Sequence, residues 1–226
     1  MPEWRIYNSG PGEPAENMAI DEALLERAAD FRAPVLRLYS WKRPAATFGY
    51  FQRYGDVAAA IELRPLLRRP TGGGIVPHAR DWTYSLVFPP EHEWHRLHAR
   101  ESYRRVHAWV AEALKGVGLA AALASTRVEG VAGKCFAGAE QFDVLLQDCK
   151  IAGAAQRRNR FGLLVQGSIQ PSGDWSRPGW EQEMCRYAEQ EWGVQWATFI
   201  TSSELTKHIE RLVQTKYATS EYNQRR

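Results

Sequence analysis

The segment from Cys135 to Gln156 places the strongest constraint on the fold, because in it an alternating stretch leads into a run of small residues. Apolar side chains alternate from Phe142 to Leu146, which predicts a strand over residues 142–148. Lys150 then opens the run Lys-Ile-Ala-Gly-Ala-Ala-Gln, which is a poor helix exterior but lets backbone approach a ligand closely. The pattern therefore predicts a sheet in which a strand leads to a lysine at a pocket.

Cys135 stands fifteen positions before Lys150, so the intervening strand allows both side chains to reach one pocket. A free thiol is only weakly ionised at neutral pH, and a nearby ammonium group would stabilise its thiolate and make it nucleophilic. The pair indicates acyl transfer. Taken singly, each residue has an ordinary alternative, which is a small core cysteine and a solvent-exposed lysine.

The other cysteines, Cys149 and Cys185, have no comparable setting, and we interpret both as structural. Three cysteines without a CxxC pair provide neither a disulfide framework nor a zinc site. This cysteine usage is typical of a reducing cytoplasm.

A second segment runs from Arg68 through Gly72, Gly73 and Gly74 to His78. Three consecutive glycines cannot pack a core, so they mark backbone that bends sharply or lies against a ligand. The segment is neither a P-loop, because it lacks Gly-Lys-Ser/Thr, nor a GxGxxG motif. An ordinary surface loop is the alternative.

In their order and spacing, these segments resemble the lipoate and biotin protein ligase superfamily. Within it, the chain is most similar to the octanoyl-[acyl carrier protein]:protein N-octanoyltransferases of the Gram-positive type. The resemblance covers about three quarters of the chain and includes Trp4-Arg5, residues 17–25, residues 34–41, residues 48–52, the Arg-Arg-Pro-Thr-Gly-Gly block, Thr83-Tyr84-Ser85, Cys135-Phe136, residues 150–156 and Gly167-Ser168-Ile169.

The resemblance implies that Cys135 accepts the acyl group and that Lys150 is the pocket lysine. It also implies a biotin/lipoate protein ligase-like catalytic domain. Further residues are expected to bind substrate by shaping the acyl tunnel or donating to the oxyanion, namely Arg69, Gly72, Gly73, Gly74, His78 and Gly153.

The resemblance further implies the reaction and its partners. An octanoyl group would pass from octanoyl-acyl carrier protein to Cys135 as a thioester. It would then pass to the target lysine of a lipoyl domain of a 2-oxoacid dehydrogenase or of the glycine cleavage H protein. We expect no metal or nucleotide cofactor, because the incoming thioester is already activated.

Three departures from the family pattern bear on substrate choice. Gly74 stands where the transferases have arginine, Ala79-Arg80 is inserted between His78 and Asp81, and Gln166 replaces a histidine. Gly74 favours an ATP-dependent lipoate-protein ligase, although the Asn-Asp pair of such ligases is missing. Gln166 is the only support for a third alternative, a non-catalytic protein that binds a lipoyl domain or an acyl carrier.

Length alone allows one or two domains, and we favour a single enzyme-sized domain over residues 1–226, which the resemblance implies is catalytic. The chain is 44% hydrophobic and can bury a substantial core. Its net charge of +3, from 29 basic and 26 acidic residues, is too balanced to indicate a nucleic-acid partner. No apolar run is long enough to cross a bilayer, and the N-terminus has no signal-peptide profile, so we expect a cytoplasmic protein without a membrane partner.

Hydrophobic periodicity predicts alternating elements and an α+β fold with helices covering a mixed, largely antiparallel sheet. One helix is predicted over residues 17–29, with Asn17 as N-cap and Asp21 and Glu22 in the first turn. The other predicted elements are strands 35–41, 83–88, 142–148 and 163–169, a helix over 101–116, and one or two packing helices in the tail, spaced by Trp175, Trp180, Trp192 and Trp196.

Two clusters of polar residues are interpreted as surface. His92, His95 and His98 recur every third residue and do not share one helix face, so solvated surface is favoured over a zinc site. The arginines of residues 157–160 are likewise interpreted as solvent-facing charge. Docking of an acidic acyl carrier or lipoyl domain is the alternative for them.

Overall fold

A computed structural model describes residues 1–128, 138–171 and 179–225 of the protein. Cys135, Phe136 and Trp175 lie outside these residues. The strands are β1 (Glu3–Gly12), β2 (Val35–Trp41), β3 (Ala45–Phe48), β4 (Leu66–Arg68), β5 (Val76–His78), β6 (Trp82–Phe88), β7 (Ala122–Leu123), β8 (Val144–Leu146), β9 (Cys149–Asn159), β10 (Gly162–Ile169) and β11 (Gln195–Thr198). The helices are α1 (Pro14–Glu26), α2 (Ala28–Phe31), α3 (Tyr54–Ala60), α4 (Glu93–Arg96), α5 (Ala99–Gly116), α6 (Trp180–Trp192), α7 (Ser203–Leu212) and α8 (Ser220–Gln224), with a π-helical turn at Val213–Tyr217.

A large sheet has the strand order β11-β1-β2-β6-β10-β9-β8-β7 in the described part of the chain. Strand β1 pairs in parallel with β11 and with β2, and the other neighbours pair antiparallel. A small sheet, β4-β3-β5, lies beside it. The predicted mixed, largely antiparallel α+β architecture is confirmed.

Three of the four predicted strands are present within one residue of their predicted bounds, as β2, β6 and β10. The strand predicted over 142–148 is wrong in length, since β8 covers only Val144–Leu146. Gln147 and Asp148 have φ of 49° and 61° and form the two-residue turn of a β8–β9 hairpin. Positive φ at both central positions is typical of a type I′ turn, which matches strand twist. Lys150 therefore belongs to β9 and lies beyond the turn.

The first helix begins earlier than predicted, and Asn17 is not its N-cap. Glu13 caps α1 through a reciprocal capping box with Glu16, and Pro14 occupies the first turn, where its missing N–H costs nothing. Asn17 is instead buried inside the helix and donates to the Ser40 carbonyl. Asp21 accordingly lies past the first turn. The helix predicted over 101–116 is confirmed as α5.

The tryptophan-rich tail forms packing helices as predicted, although its tryptophans divide between two kinds of element. Trp180 and Trp192 lie at the ends of α6, whereas Trp196 lies in β11, which pairs with β1. Trp4 of β1 contacts the rings of both Trp192 and Trp196. The tail is thereby joined to the N-terminal strand through an aromatic cluster.

Helices cover both faces of the large sheet. A tryptophan-rich core that includes Trp109 and Trp180 joins one face to α5 and α6, and a second core that includes Leu24 and Leu205 joins the other face to α1 and α7. In the described ranges, no helix is long and apolar enough to span a membrane.

A buried ion pair joins α1 to β2 between these layers. Arg37 donates to Asp21 at 2.7 Å, and both side chains have no solvent exposure. Arg37 also donates to the backbone carbonyl and side-chain oxygen of Asn17 and to Ser9. Burial of a charge is tolerated when its hydrogen-bonding groups have partners, and the guanidinium here meets that condition.

We predict that Asp21→Ala lowers the free energy of unfolding by about 3–5 kcal/mol, because it leaves the Arg37 guanidinium buried without a counter-charge. The matched control is Asp30→Ala, which breaks the exposed pair with Arg27 (side chains 43% and 58% exposed). That control should cost less than about 1 kcal/mol. Urea denaturation of both variants measures the difference, and equal losses would contradict the prediction.

Candidate active site

A narrow cavity opens between the large sheet, α1 and the small sheet, with about 480 Å³ of empty space, part of it open to solvent. Five of the residues predicted to form the site line it, namely Arg69, Gly73, His78, Lys150 and Gly153. Most of the rest of the wall is apolar or backbone, including Met18, Val76, Ala154 and Ala155. The structure thus brings together the glycine block and the lysine motif, which are far apart in sequence.

Lys150 projects from the start of β9 and is held by Asp143, which lies just before β8. The Lys150 Nζ to Asp143 Oδ2 distance is 2.7 Å, and the two side chains are 8% and 0% exposed. The same carboxylate accepts hydrogen bonds from the Tyr103 hydroxyl at 2.5 Å and the Glu140 backbone N–H at 2.7 Å. Lys150 therefore places a positive charge at a fixed position in the cavity wall.

Tyr103 extends this arrangement to helix α5. Burial, followed by the nearby Asp143 carboxylate, raises the pKa of Tyr103, so its hydroxyl remains a hydrogen-bond donor at neutral pH. Its ring packs edge-on against His107, with the centroids 4.1 Å apart. Burial lowers the pKa of His107 to about 4, which leaves that ring uncharged at pH 7. Sequence reasoning did not predict Asp143 or Tyr103 as site residues. The only signal in the sequence was that Asp143 stands seven positions before Lys150.

Gly153 allows the Lys150 side chain to lie along the sheet. A Cβ at Gly153 would stand 2.9 Å from Lys150 Cε and 3.1 Å from its Nζ, which is closer than real Cβ contacts normally are. A larger residue at this position would therefore push the end of the buried Lys150 side chain away from its place beside Asp143.

His78 is the second fixed polar group of the cavity. Its Nδ1 lies 2.7 Å from Asp81 Oδ2, and its Nε2 lies 2.8 Å from the Thr47 hydroxyl oxygen. The ring stacks on Trp41 with a centroid separation of 4.0 Å. The two inserted residues, Ala79-Arg80, are exposed and do not separate His78 from Asp81. The insertion therefore leaves the histidine–aspartate contact intact.

The glycine block contributes one described residue to the cavity lining, and its backbone lies close to the loop that holds Gly49. Gly73 has φ of +85° and lines the cavity, whereas Gly72 and Gly74 are not among the described residues that do so. The Gly72 carbonyl accepts from Arg69 Nε at 3.0 Å and so holds that guanidinium in place. A Cβ on Gly49 would stand 1.9 Å from the Gly73 carbonyl oxygen, which shows how closely the two loops pack.

Gln166, at the position where the resemblance implies a histidine, is buried in the wall with both ends of its amide hydrogen-bonded. Its side-chain nitrogen donates to Asp21 at 2.7 Å, and its oxygen accepts from the Thr71 hydroxyl at 2.7 Å. Asp21 also accepts from Tyr39 and Ser85. The amide thus connects the glycine loop to the buried ion pair, and this contact was not predictable from the single substitution.

Cys135 lies outside the described residues, and the other cysteines and the histidines at 92, 95 and 98 are not among the described residues that line the cavity. Cys149 is exposed, and Cys185 is half-buried with its pKa raised to about 12, mainly by burial. His92 accepts from the Trp94 N–H, and His95 bonds to the Asn159 carbonyl. Among the described residues no cluster of His, Cys, Asp or Glu could hold a metal ion.

The arginine cluster divides into different roles. Arg158 donates to the Trp94 and His95 carbonyls and to Ser102, so its interpretation as solvent-facing charge is wrong. Arg157 donates to the Pro70 carbonyl at 3.3 Å. Arg160 lies over the Phe161 ring.

Comparison with known proteins identifies the family to which the chain belongs. The family model described as "lipoyl protein ligase A/B catalytic domain" matches residues 13–180. The octanoyltransferase LipM of Kyrpidia tusciae is 35% identical over 181 residues, which are 75% of this chain and 66% of that protein. LipM of Bacillus subtilis is 32% identical over 182 residues, which are 74% of this chain and 64% of that protein. The match thus spans slightly less than two thirds of the length of these relatives.

Solved structures share the fold. A lipoate-protein ligase A bound with ATP superposes with a TM-score of 0.79 at 20% identity and covers 98% of both chains. A bipartite lipoate protein ligase of Thermoplasma acidophilum superposes with a TM-score of 0.75 at 20% identity and covers 99% of this chain and 97% of its own. At this identity the likeness concerns the fold alone, and it agrees with the fold class predicted from sequence.

We predict that Gly153→Ala lowers the free energy of unfolding by about 1–3 kcal/mol, because the added methyl group displaces the buried Lys150 side chain. Gly55→Ala is the matched control, since a Cβ there meets nothing within 4 Å and alanine suits its helix. Urea denaturation measures both variants. A Gly153→Ala protein as stable as the Gly55→Ala protein would show that the wall tolerates the methyl group.

Proposed function

The chain belongs to the family of lipoyl protein ligase A/B catalytic domains, and on this basis we propose that it is an octanoyltransferase. It takes an octanoyl group from octanoyl-acyl carrier protein onto Cys135 and passes it to the target lysine of a lipoyl domain. The acceptors are lipoyl domains of 2-oxoacid dehydrogenases or the glycine cleavage H protein. The names of the relatives at 32–35% identity support this assignment.

The observation on which the proposal rests is the position of Lys150. Its ammonium group is paired with the buried Asp143 in the wall of a narrow, largely apolar cavity. The apolar wall suits an alkyl chain, and the cation suits the polar end of an acyl group. Because Asp143 is itself held by Tyr103 and Glu140, the charge is oriented before any substrate binds.

The reaction has two steps in this proposal. The Cys135 thiolate attacks the carbonyl carbon of the incoming thioester, a new C–S bond forms, and the carrier thiol leaves with a proton. The amine of the acceptor lysine then attacks the acyl-enzyme, the C–N bond forms, and the Cys135 sulfur is released as the thiol. No free energy from ATP is needed, because a thioester is already an activated acyl group.

Lys150 has two roles in this scheme. Its charge favours the thiolate of Cys135, and it stabilises the negative charge that develops on the carbonyl oxygen in both steps. Gly153 leaves room for the ammonium beside the sheet, and Gly73 and Arg69 line the same cavity. His78 also belongs to the proposed substrate-binding residues.

An ATP-dependent lipoate-protein ligase is the alternative, in which the same cavity would hold an acyl-adenylate and Cys135 would be incidental. The ligase-like Gly74 favours it. Gly74, however, is not among the described residues that line the cavity.

We predict that octanoyl-acyl carrier protein, without ATP or magnesium, raises the intact mass of the enzyme by one octanoyl group. Addition of an apo lipoyl domain should then transfer that mass to the domain. Cys135→Ala should abolish both changes, whereas Cys149→Ala and Cys185→Ala should remain active. Intact-protein mass spectrometry follows every species.

Two other outcomes would contradict the transferase proposal. If only free octanoate or lipoate with Mg-ATP modifies the lipoyl domain, and Cys135→Ala does so equally well, the protein is a ligase. If neither mixture modifies enzyme or domain, the non-catalytic binding role takes its place.

We predict that Lys150→Ala raises the pKa of the Cys135 thiol by about one unit or more, because the thiolate loses a nearby opposite charge. The pH dependence of iodoacetamide alkylation measures this in a Cys149→Ser, Cys185→Ala background. Lys115→Ala, which removes an exposed lysine, is the control and should leave the profile unchanged. Lys150→Arg should impair transfer nearly as much as Lys150→Ala, because a planar guanidinium cannot occupy the tight site beside Gly153.

An alkylation profile unaffected by Lys150→Ala would show that the ammonium does not act on the thiol. Near-normal turnover by Lys150→Arg would exclude direct contact between the ammonium and the acyl group.

A further inference from the structure

Amide formation requires a proton acceptor, because a lysine amine with a pKa near 10.4 is almost entirely protonated at neutral pH. Among the described residues that line the cavity, the ionisable side chains are Tyr39, Arg69, His78 and Lys150. Arginine does not give up its proton in proteins, and Lys150 is paired with Asp143. Tyr39 is protonated, because burial, followed by Asp21, raises its pKa. His78 is therefore the one lining side chain of these four that offers a ring nitrogen able to accept a proton.

The tautomer of His78 follows from its partners. Asp81 is an acceptor through Oδ2, which receives hydrogen bonds from the Ser168 hydroxyl at 2.7 Å and the Thr83 hydroxyl at 3.0 Å. His78 Nδ1, 2.7 Å from the same oxygen, must then carry its hydrogen. The lone pair of the neutral ring lies on Nε2, which faces the Thr47 hydroxyl at 2.8 Å.

Thr47 connects this ring to the cavity. It lines the cavity, and its hydroxyl has one hydrogen to donate and two lone pairs to accept with. The hydrogen points to His78 Nε2, and Arg69 Nη1 approaches one lone pair at 3.4 Å. The second lone pair can accept a hydrogen from an amine in the cavity. The side chains of Thr47, His78 and Asp81 thus form a hydrogen-bonded chain along which a proton can move from the cavity to His78. We name this chain the Thr47 relay.

We propose that the Thr47 relay removes a proton from the acceptor lysine before that lysine attacks the acyl-enzyme. This inference rests on the proposed function. The ammonium gives a proton to the Thr47 oxygen while Thr47 gives its own proton to His78 Nε2, and Asp81 stabilises the resulting imidazolium. The C–N bond then forms and the C–S bond breaks, the second amine proton leaves with the Cys135 sulfur, and His78 returns its proton to solvent.

The surroundings suit this role. Stacking on Trp41 and the bond to Asp81 fix the imidazole plane, and the ring is almost fully buried. The charged groups around it are Asp81 at its Nδ1, Arg69 beyond Thr47, and Lys150 in the same cavity wall. Thr47 would contact the substrate, whereas His78 acts through Thr47 and Asp81 positions His78.

The test compares Thr47→Val, which keeps the shape but lacks the hydroxyl, with Thr47→Ser, which retains it. Single-turnover mass spectrometry measures acyl-enzyme formation and the subsequent transfer to an apo lipoyl domain separately, from pH 6 to 9. A third measurement replaces the domain with hydroxylamine, an amine that is already neutral at pH 7. His78→Gln is the second variant and interrupts the relay at another residue.

We predict that Thr47→Val slows transfer to the lysine at pH 7 by about 100-fold, the usual effect of losing a general base, while acyl-enzyme formation changes far less. The transfer rate of the variant should rise about tenfold per pH unit, because only the spontaneously deprotonated lysine reacts. Thr47→Ser should restore the wild-type profile, His78→Gln should reproduce the variant profile, and in both relay variants the hydroxylamine reaction should be slowed far less than the lysine reaction.

Other outcomes overturn the proposal. If Thr47→Val keeps the wild-type pH profile, or if the hydroxylamine reaction falls as much as the lysine reaction, the contacts among Thr47, His78 and Asp81 are only structural. If the wild-type protein forms no acyl-enzyme at all, the proposed function fails first and the relay fails with it.

Discussion

The ion pair between Arg37 and Asp21 is the contact on which the arrangement of helix and sheet depends. A fully buried carboxylate is stable only when donors surround it, and those around Asp21 come from β2, β6 and β10 as well as from Arg37 itself. Since Asp21 lies on α1, its position is set by three strands at once. Gln166 extends the network to Thr71 in the glycine loop, so one buried charge also fixes the edge of the cavity.

Buried carboxylates also hold other polar side chains around the cavity. Asp143 holds Lys150, Asp81 holds His78, and Asp21 holds Gln166, so three polar side chains of the wall are each oriented by a buried carboxylate. Hydroxyl groups from Tyr103, Ser168 and Ser85 complete the partners of these carboxylates. In the proposed reaction such groups would need little rearrangement when charge develops on the substrate, and the apolar remainder of the wall would hold the alkyl chain.

Much of this organisation was predictable from sequence, and the rest was not, for physical reasons. Local periodicity predicted β2, β6, β10 and α5, and the order of the motifs predicted the family that the family model confirmed. The N-terminus of α1 was missed because Glu13 and Pro14 act as cap and first turn ahead of the better-known cap residue Asn17. The length of β8 was overestimated because alternation alone does not reveal a turn.

Contacts between segments that are distant in sequence could not be predicted from local patterns. The departure at Gln166 looked like the loss of a functional group, yet the glutamine bridges two elements. The insertion after His78 departs from the family pattern, yet its residues are exposed and His78 still contacts Asp81. Asp143 and Thr47 acquire their roles only when the sheet places them beside Lys150 and His78.

The close approach of Gly49 to Gly73 has a consequence for how this fold can diversify. Backbone hydrogen bonds from Tyr50 to Thr71 and from Arg69 to Phe48 tie the turn after β3 to the glycine loop, and no side chain fits between them. The two loops are therefore held together by backbone contacts, so one loop cannot move away from the cavity without the other. Room for a larger ligand is therefore more readily made elsewhere in the lining, for example at Ala154 and Ala155 of β9, than at these two loops.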